Sequence, residues 1–230
     1  MAMIQAKLTK KIHLTHDVYE LHYQLSEEKS MKPGQFLTFI LPGVGGRSYS
    51  VLELRGNIAI LIIKKWPRET GGRGGSIILC DADIGDEYQC VGPAGHFLLQ
   101  DNTENKLFIG TGTGLVPLYN QILEGLKKNT GEKYQLVFGV RYLKDMFYQK
   151  EFEALKKQYP DTFYYHLVVS RDQGEGMIKK GYVTDFLSKN VADQYGEYYL
   201  CGAPAMIESC QEKLLDLGVD TKNVYFEKYA

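Results

Sequence analysis

Three short stretches of this chain carry residue types able to grip a phosphate or lie along a planar ring. In GGRSYS (45–50), two glycines run into an alternation of cation, hydroxyl, ring and hydroxyl: Arg47, Ser48, Tyr49 and Ser50. A strand that buries one face alternates apolar with polar residues instead. The segment is either a polar edge strand or a grip for something planar and anionic. In LFIGTGTGLVPL (107–118), Gly110, Gly112 and Gly114 follow an apolar run and precede a helical pattern that holds Pro117 in its first turn. Such a turn brings backbone N–H groups toward a pyrophosphate. It departs from G-x-G-x-x-G because Leu115 holds the sixth position. Where an NAD-type fold places an acid after the second strand, Arg141 stands. In GGRGGSIILCD (71–81), glycines lead into a helical turn near Ser76, another nest of N–H groups suited to phosphate. Plainer readings stand beside both: a tight strand-to-helix turn without ligand, and a flexible hairpin tip.

Two halves with different hydrophobic periods must position these residues. In the first, residues 1–102, Tyr19, Leu21, Tyr23 and Leu25 alternate with Glu20, His22 and Gln24. Further strand-like runs cover 6–14, 35–41, 47–53, 57–65 and 87–91, punctuated by Pro33-Gly34, Pro42-Gly43, Gly56-Asn57 and Gly85-Asp86. They predict a six-stranded antiparallel β-barrel. The polar stretch QDNTEN ends this half. In residues 103–230, an apolar run (106–109) is followed by a helix (115–128), a strand (134–140), a helix (145–158) and a strand (163–169). A helix (182–189), a strand (198–201), a helix (204–217) and a strand (224–227) complete the series. Strands alternating with helices of this length predict a doubly wound parallel α/β domain.

Composition narrows the function classes. A formal net charge of −1, with 44% hydrophobic and 24% charged residues, gives no reason to expect a nucleic-acid or membrane partner. The 4 cysteines (Cys80, Cys90, Cys201, Cys210) and 5 histidines have no metal-ligand spacing, so no metal is expected. The N-terminus has no apolar core of signal-peptide length, and the longest apolar run, 58–63, is too short to span a bilayer. Reduced thiols without an export signal read as cytoplasmic.

In chain order, PGQF (33–36), RSYS (47–50), GGRGGS (71–76), GPAGHF (92–97), GTGTGLVPL (110–118), CGAPAM (201–206) and FEKYA (226–230) resemble the motifs of the ferredoxin–NADP reductase superfamily of flavoproteins. The resemblance runs over nearly the whole chain and implies an FAD-binding barrel followed by an NAD(P)-binding domain. It implies that Arg47 pairs with the flavin pyrophosphate, that Tyr49 lies along the isoalloxazine, and that Ser50 sits by its hydride-accepting N5. Ile63 and Lys64 fall where the family's backbone meets the flavin, Lys64 reading equally well as a solvated charge. Gly74, Gly75 and Ser76 match the flavin-pyrophosphate turn, which favours FAD over FMN. Thr111, Gly112 and Thr113 lie in the nicotinamide-nucleotide turn. Cys201 and Gly202 stand where nicotinamide approaches, although Cys201 also reads as a small buried hydrophobe. Glu227 and Tyr229 are the candidates for closing the flavin pocket. Ala230 follows Tyr229, whereas plant-type reductases end on the tyrosine.

The activity so implied is hydride transfer from NADPH or NADH to FAD, then electron release to a separate acceptor such as ferredoxin or flavodoxin. Ser170-Arg171 and Lys180-Gly181-Tyr182 match the layout of plant-type NADPH reductases, and a 2′-phosphate needs such cations and hydroxyls. The plainer reading leaves Arg171 and Lys180 solvated and Tyr182 in the core. No C-x4-C-x2-C segment is present, so no iron–sulfur domain is expected in the chain, which is taken as a monomer. Lys64, Lys65, Arg68 and Arg73 stand in KKWPRETGGR (64–73), either a dock for an acidic acceptor or a solvated charge run. Two alternatives to a stand-alone enzyme remain. One is an NADH-using reductase component of an oxygenase or dehydrogenase complex; the other is a module that holds flavin or nucleotide without independent turnover.

Overall fold

The structure is a computed structural model that describes residues 3–229. The chain divides into two compact units between Leu98 and Leu99. The first is a closed antiparallel barrel of β1 (Ile4–His13), β2 (Val18–Leu25), β3 (Phe36–Leu41), β4 (Gly45–Arg55), β5 (Ile58–Lys64) and β6 (Glu87–Ala94). Around the barrel the strands run β1-β2-β5-β4-β3-β6. Period-2 alternation drives it: Ile4, Ala6 and Leu8 of β1 are buried while Gln5 and Lys7 are exposed. One helix, α1 (Gly75–Asp81), joins β5 to β6 and adds Leu79 and Cys80 to the barrel core. Lys11 Nζ caps its end by donating to the carbonyls of Cys80 (3.1 Å) and Ala82 (2.7 Å).

β4 serves two neighbours in succession. Gly45 through Ser50 pair with β3, while Val51 through Arg55 pair with β5. The β4–β5 ladder ends at Val51 opposite Leu61, although β5 continues to Lys64 in register with β2. Beyond that point the strands part, and the seam between them is flanked by Arg47–Ser50 on one lip and 62–64 on the other.

The second unit has strands β7 (Lys106–Thr111), β8 (Tyr134–Val140), β9 (Phe163–Val169), β10 (Ile178–Lys180), β11 (Glu197–Gly202) and β12 (Val224–Lys228). They form one parallel sheet in the order β10-β9-β8-β7-β11-β12. Helices α2 (Leu115–Lys128), α3 (Gln149–Gln158), α4 (Lys189–Ala192) and α5 (Pro204–Asp216) lie between them. The chain winds outward from β7 through β8 and β9, then returns to lay β11 on the other side. The direction of winding therefore switches between β7 and β11, the place where open α/β sheets bind ligands. Among the described residues no helix is long and apolar enough to cross a membrane.

The barrel and the doubly wound sheet match the architecture expected from sequence, with local departures. The helix expected at 145–158 begins only at Gln149, after a 3-10 turn at Leu143–Asp145. Met146, Phe147 and Tyr148 are all buried, and three consecutive side chains cannot all enter one core from a helix with a solvent face. Tyr148 therefore turns left-handed, with φ 66°. The helix expected at 182–189 is a 3-10 turn (Val183–Phe186) and the short α4, separated by extended Leu187 and Ser188. The edge strand β10 has too few residues to show a period.

β7 and β11 begin with a buried charge pair. Lys106, 1% exposed, stands in register with Glu197, and its Nζ lies 3.8 Å from Glu197 Oε2. Lys106 also donates to Asn102 Oδ1 (2.9 Å) and the Glu104 carbonyl (2.8 Å), while Glu197 accepts from Asn102 Nδ2 (2.6 Å) and Tyr199 Oη (2.7 Å). Burial pulls the lysine below its ordinary pKa, against the opposing pull of Glu197. Removing one partner leaves the other charge buried and short of a counterion. Lys106→Met is expected to lower unfolding free energy by about 3 kcal/mol, read as a lower urea midpoint at unchanged slope.

Candidate functional site

The seam in the barrel collects the GGRSYS residues. Arg47 and Tyr49 are half-buried and Ser50 is 6% exposed. Ser48 is on the outer face, where its hydroxyl lies 2.9 Å from Thr38 Oγ1. The turn before α1 closes over Arg47 and Tyr49: a Cβ at Gly75 would sit 2.7 Å from both Arg47 Cγ and Tyr49 Oη. Only glycine permits that approach. Arg47 donates through Nη1 to the Gly46 carbonyl (2.7 Å), but its Nε is buried without a partner. A buried guanidinium donor without an acceptor carries a desolvation cost that an anion in the seam would relieve. Burial pushes the Tyr49 phenol well above its ordinary value, with Cys80 adding to it and Arg47 and Arg73 pulling back. Tyr49 therefore offers a neutral ring at any physiological pH.

The other lip is less uniform. Ile63 is 2% exposed and packs into the barrel core, in register with Tyr19 of β2, and its carbonyl accepts weakly from Cys80 Sγ at 3.8 Å. Lys64 is half-exposed and pairs with Asp17 Oδ2 at 3.0 Å. Gly74 is left-handed (φ 87°), and Ser76 Oγ accepts from the Trp66 backbone N–H at 3.0 Å.

In the second unit the glycine turn lies at the switch point. Gly112–Gly114 forms a 3-10 turn that runs into α2. A Cβ on Gly114 would overlap the Cys201 carbonyl, and one on Gly202 (φ 147°) would overlap Thr111 Oγ1. These glycines let the turn at the end of β7 press against the end of β11. Thr111 Oγ1 accepts from the Ala203 N–H (3.4 Å) across the same junction. Thr111, Gly112 and Thr113 remain part-exposed there.

Cys201, Gly202, Glu227 and Tyr229 also converge at this end of the sheet. Cys201 stands opposite Glu227, Gly202 opposite Lys228, and the Tyr229 N–H donates to the Gly202 carbonyl (2.9 Å). Cys201 is fully buried; burial first and Glu227 second push its thiol up, while a hydrogen bond from Tyr229 opposes them. The motif FEKYA closes on Ala230, which lies outside the described residues.

Ser170 and Arg171 follow β9, held by backbone bonds to the carbonyls of Val140 (3.1 Å) and Arg141 (2.9 Å). Asp172 fixes the loop by accepting from the Leu143 N–H (2.6 Å). Arg171 is exposed and donates to Tyr142 Oη (3.2 Å), which raises its pKa further. Lys180 ends β10, and Tyr182 is 65% exposed, which removes the reading of it as a core residue. Both border a cleft of about 290 Å³ whose other lining residues include His166, Lys179, Asp185 and Phe186. Sequence reasoning passed over those four because they come together only when β10 docks on β9. Burial, then Lys179, lowers the pKa of His166. Among the described residues no cluster of His, Cys, Asp or Glu has the geometry to hold a metal ion.

A flavin-suited seam in a barrel, followed by a nucleotide turn at a sheet's switch point, defines a two-domain flavoprotein oxidoreductase. Residues 5–98 match the oxidoreductase FAD-binding domain and residues 108–212 the oxidoreductase NAD-binding domain. The chain belongs to the ferredoxin–NADP reductase superfamily, with FAD and a nicotinamide nucleotide as its cofactors. It is 32% identical to the toluate 1,2-dioxygenase electron transfer component of Pseudomonas putida over 86% of this chain and 58% of that one. It is 29% identical to the ferredoxin–NAD(P)+ reductase component of the naphthalene 1,2-dioxygenase system of Pseudomonas putida, over 94% of this chain and 65% of the relative. The chain thus spans roughly three-fifths of these curated relatives. The structure of ferredoxin–NADP+ reductase from Plasmodium falciparum superposes with a TM-score of 0.79 at 25% identity, covering 98% of this chain and 95% of that one.

All four cysteines are buried and free. Burial pushes Cys90 up to about 11, Cys80 and Cys210 to about 12, and Cys201 well above the ordinary thiol value. None should react with a disulfide reagent at about pH 8, and all should react after unfolding in guanidinium. Rapid reaction of Cys201 in the native protein, located by peptide mapping, would show that its end of the sheet opens.

Proposed function

We propose that the chain carries reducing equivalents from NADPH, in preference to NADH, to FAD and then to a separate redox-protein acceptor, a ferredoxin or flavodoxin. Residues 1–102 hold the flavin in this reading and 103–230 the nicotinamide nucleotide. The observation that carries it is Arg47: a buried Nε without a partner, beneath a glycine turn that only a missing side chain allows. Bound FAD supplies the redox chemistry, accepting hydride at its N5 and releasing electrons. The protein's own residues bind and orient. Arg47 takes the pyrophosphate with Gly74, Gly75 and Ser76, Tyr49 gives the ring a flat neutral wall, and Ser50 holds a hydroxyl at the hydride-accepting edge. The backbone of Ile63 and the ion-paired Lys64 form the far lip.

In the nucleotide domain, Thr111, Gly112 and Thr113 present N–H groups to the dinucleotide phosphates. Cys201 and Gly202 receive the nicotinamide, with Glu227 and Tyr229 beside them. Ser170, Arg171, Lys180 and Tyr182 grip the 2′-phosphate. Arg171 and Tyr182 are both exposed, so both are open to a phosphate.

A second reading makes the chain the NADH-dependent reductase part of an oxygenase system, and the names and greater lengths of its dioxygenase relatives favour it. Anaerobic addition of each nucleotide to the FAD-loaded protein separates the two. Flavin bands that bleach faster with NADPH support the first reading, and bleaching by NADH alone supports the second. Flavin bands that neither nucleotide bleaches would overturn both. With NADPH as donor, Arg171→Ala is expected to raise KM by about tenfold, the loss of one charge-assisted contact, and to leave the KM for NADH nearly unchanged. Equal effects on both would remove the 2′-phosphate role.

A further inference from the structure

The loops that follow β8 and β9 leave the same end of the parallel sheet, the end at which open α/β folds take ligands. They are tied to one another by the Ser170 N–H on the Val140 carbonyl (3.1 Å), the Arg171 N–H on the Arg141 carbonyl (2.9 Å) and the Leu143 N–H on Asp172 Oδ2 (2.6 Å). Tyr142, half-buried, is thereby fixed beside Arg171, whose Nη1 donates to the Tyr142 hydroxyl oxygen (3.2 Å). A hydroxyl used as an acceptor keeps its own proton to give. Among the described residues, the Tyr142 hydroxyl donates to no acceptor.

The charges of this corner are sorted. Asp145 accepts from the Tyr142 N–H (3.3 Å) and Asp172 from the Leu143 N–H, so both acids are turned onto the backbone of the loop. Arg141, Lys144 and Arg171 are exposed, and among the described residues none of them forms an ion pair with a carboxylate. Two of these cations are drawn to one ring: Arg171 Cζ lies 5.8 Å and Lys144 Nζ 5.6 Å from the centre of Tyr142. Like charges held beside one ring repel each other, a cost that an anion among them removes.

We propose that Tyr142 is a specificity-determining residue for the nicotinamide nucleotide. It holds the Arg171 guanidinium for the 2′-phosphate of NADPH and donates its own hydroxyl proton to a phosphate oxygen, with Lys144 adding a second positive charge. The inference rests on the NADPH reading and adds Tyr142 and Lys144 to the four residues of that grip. A ribose hydroxyl would call for a different corner: it needs a carboxylate acceptor after the second strand. Arg141 and Tyr142 stand there instead, and the nearby acids are engaged by backbone N–H groups. Free cations around a hydroxyl that still has its proton suit a phosphomonoester.

The test is titration calorimetry of the FAD-loaded protein with adenosine 2′,5′-bisphosphate and, separately, with 5′-AMP, which differ only in the 2′-phosphate. The wild-type protein is expected to prefer the bisphosphate by at least about tenfold. Tyr142→Phe keeps the ring beside Lys144 and removes only the oxygen. It should weaken the bisphosphate by about 10- to 100-fold, the range for one hydrogen bond to a charged group, and 5′-AMP by less than about twofold. Because Tyr142 acts partly through Arg171, the double variant Tyr142→Phe with Arg171→Ala should lose less than the product of the two single losses. With Arg171→Ala selective for the bisphosphate, three results would overturn the proposal and leave the 2′-phosphate reading standing. They are a Tyr142→Phe protein that keeps its bisphosphate affinity, one that loses both ligands equally, and single losses that multiply fully in the double variant. A wild-type protein that binds both ligands equally, or an Arg171→Ala protein with undiminished preference for the bisphosphate, would overturn both.

Discussion

The parting of β4 from β5 beyond Val51 and Leu61 is the constraint on which the first unit depends. A closed barrel leaves no strand edge open, so wherever two neighbours separate, the backbone on both lips must meet something other than a strand. Here the chain brings the glycine turn before α1 to the seam and sets Gly75 on Arg47 and Tyr49. Every feature that recommends this region as a flavin site follows from that separation. The arginine has an Nε without an acceptor, and the glycine turn lies directly against it.

The second unit solves a comparable problem with glycine packing. Reversal of the winding between β7 and β11 leaves a crevice that a ligand can enter only if the first turn stays flat against its neighbour. Gly114 against the Cys201 carbonyl and Gly202 against Thr111 keep it flat. At the same end of the sheet the Tyr229 N–H donates to the Gly202 carbonyl, which ties the last described residues to the end of β11. The charged pair at the opposite end, Lys106 with Glu197, anchors the starts of the same two strands.

Charge is distributed by role. The two lysines of KKWPRETGGR lie in ion pairs with Asp17 and Asp81, which weakens the view of that run as a dock for an acidic acceptor. Surface pairs of this kind contribute little stability, but they cancel the local field that would steer an anionic partner. The arginines of the run lie differently: Arg68 covers the turn, and Arg73 acts on Tyr49. Guanidinium groups gathered around one glycine turn suit a diphosphate better than a protein surface.

By itself the sequence determined the order of elements and the chemistry of each motif, because both are local. Period-2 alternation specifies strands of the barrel residue by residue, continuous apolar runs specify β7, β8 and β11, and glycines at turns announce where backbone must approach something closely. Arg47, Tyr49 and Ser50 stand out for the same reason: three unlike groups inside one strand break its alternation. What only the tertiary structure decided are the encounters between distant segments. The closing of Gly75 over Arg47, the pairing of Lys64 with Asp17, and the joining of Cys201 to Tyr229 each cross many residues of chain. The misread helices have the same origin, since Met146, Phe147 and Tyr148 leave the helical path to fill a core that other elements define. Local pattern carries the energy of forming an element; which side chain then meets which is set by packing, and packing is not written at any single position.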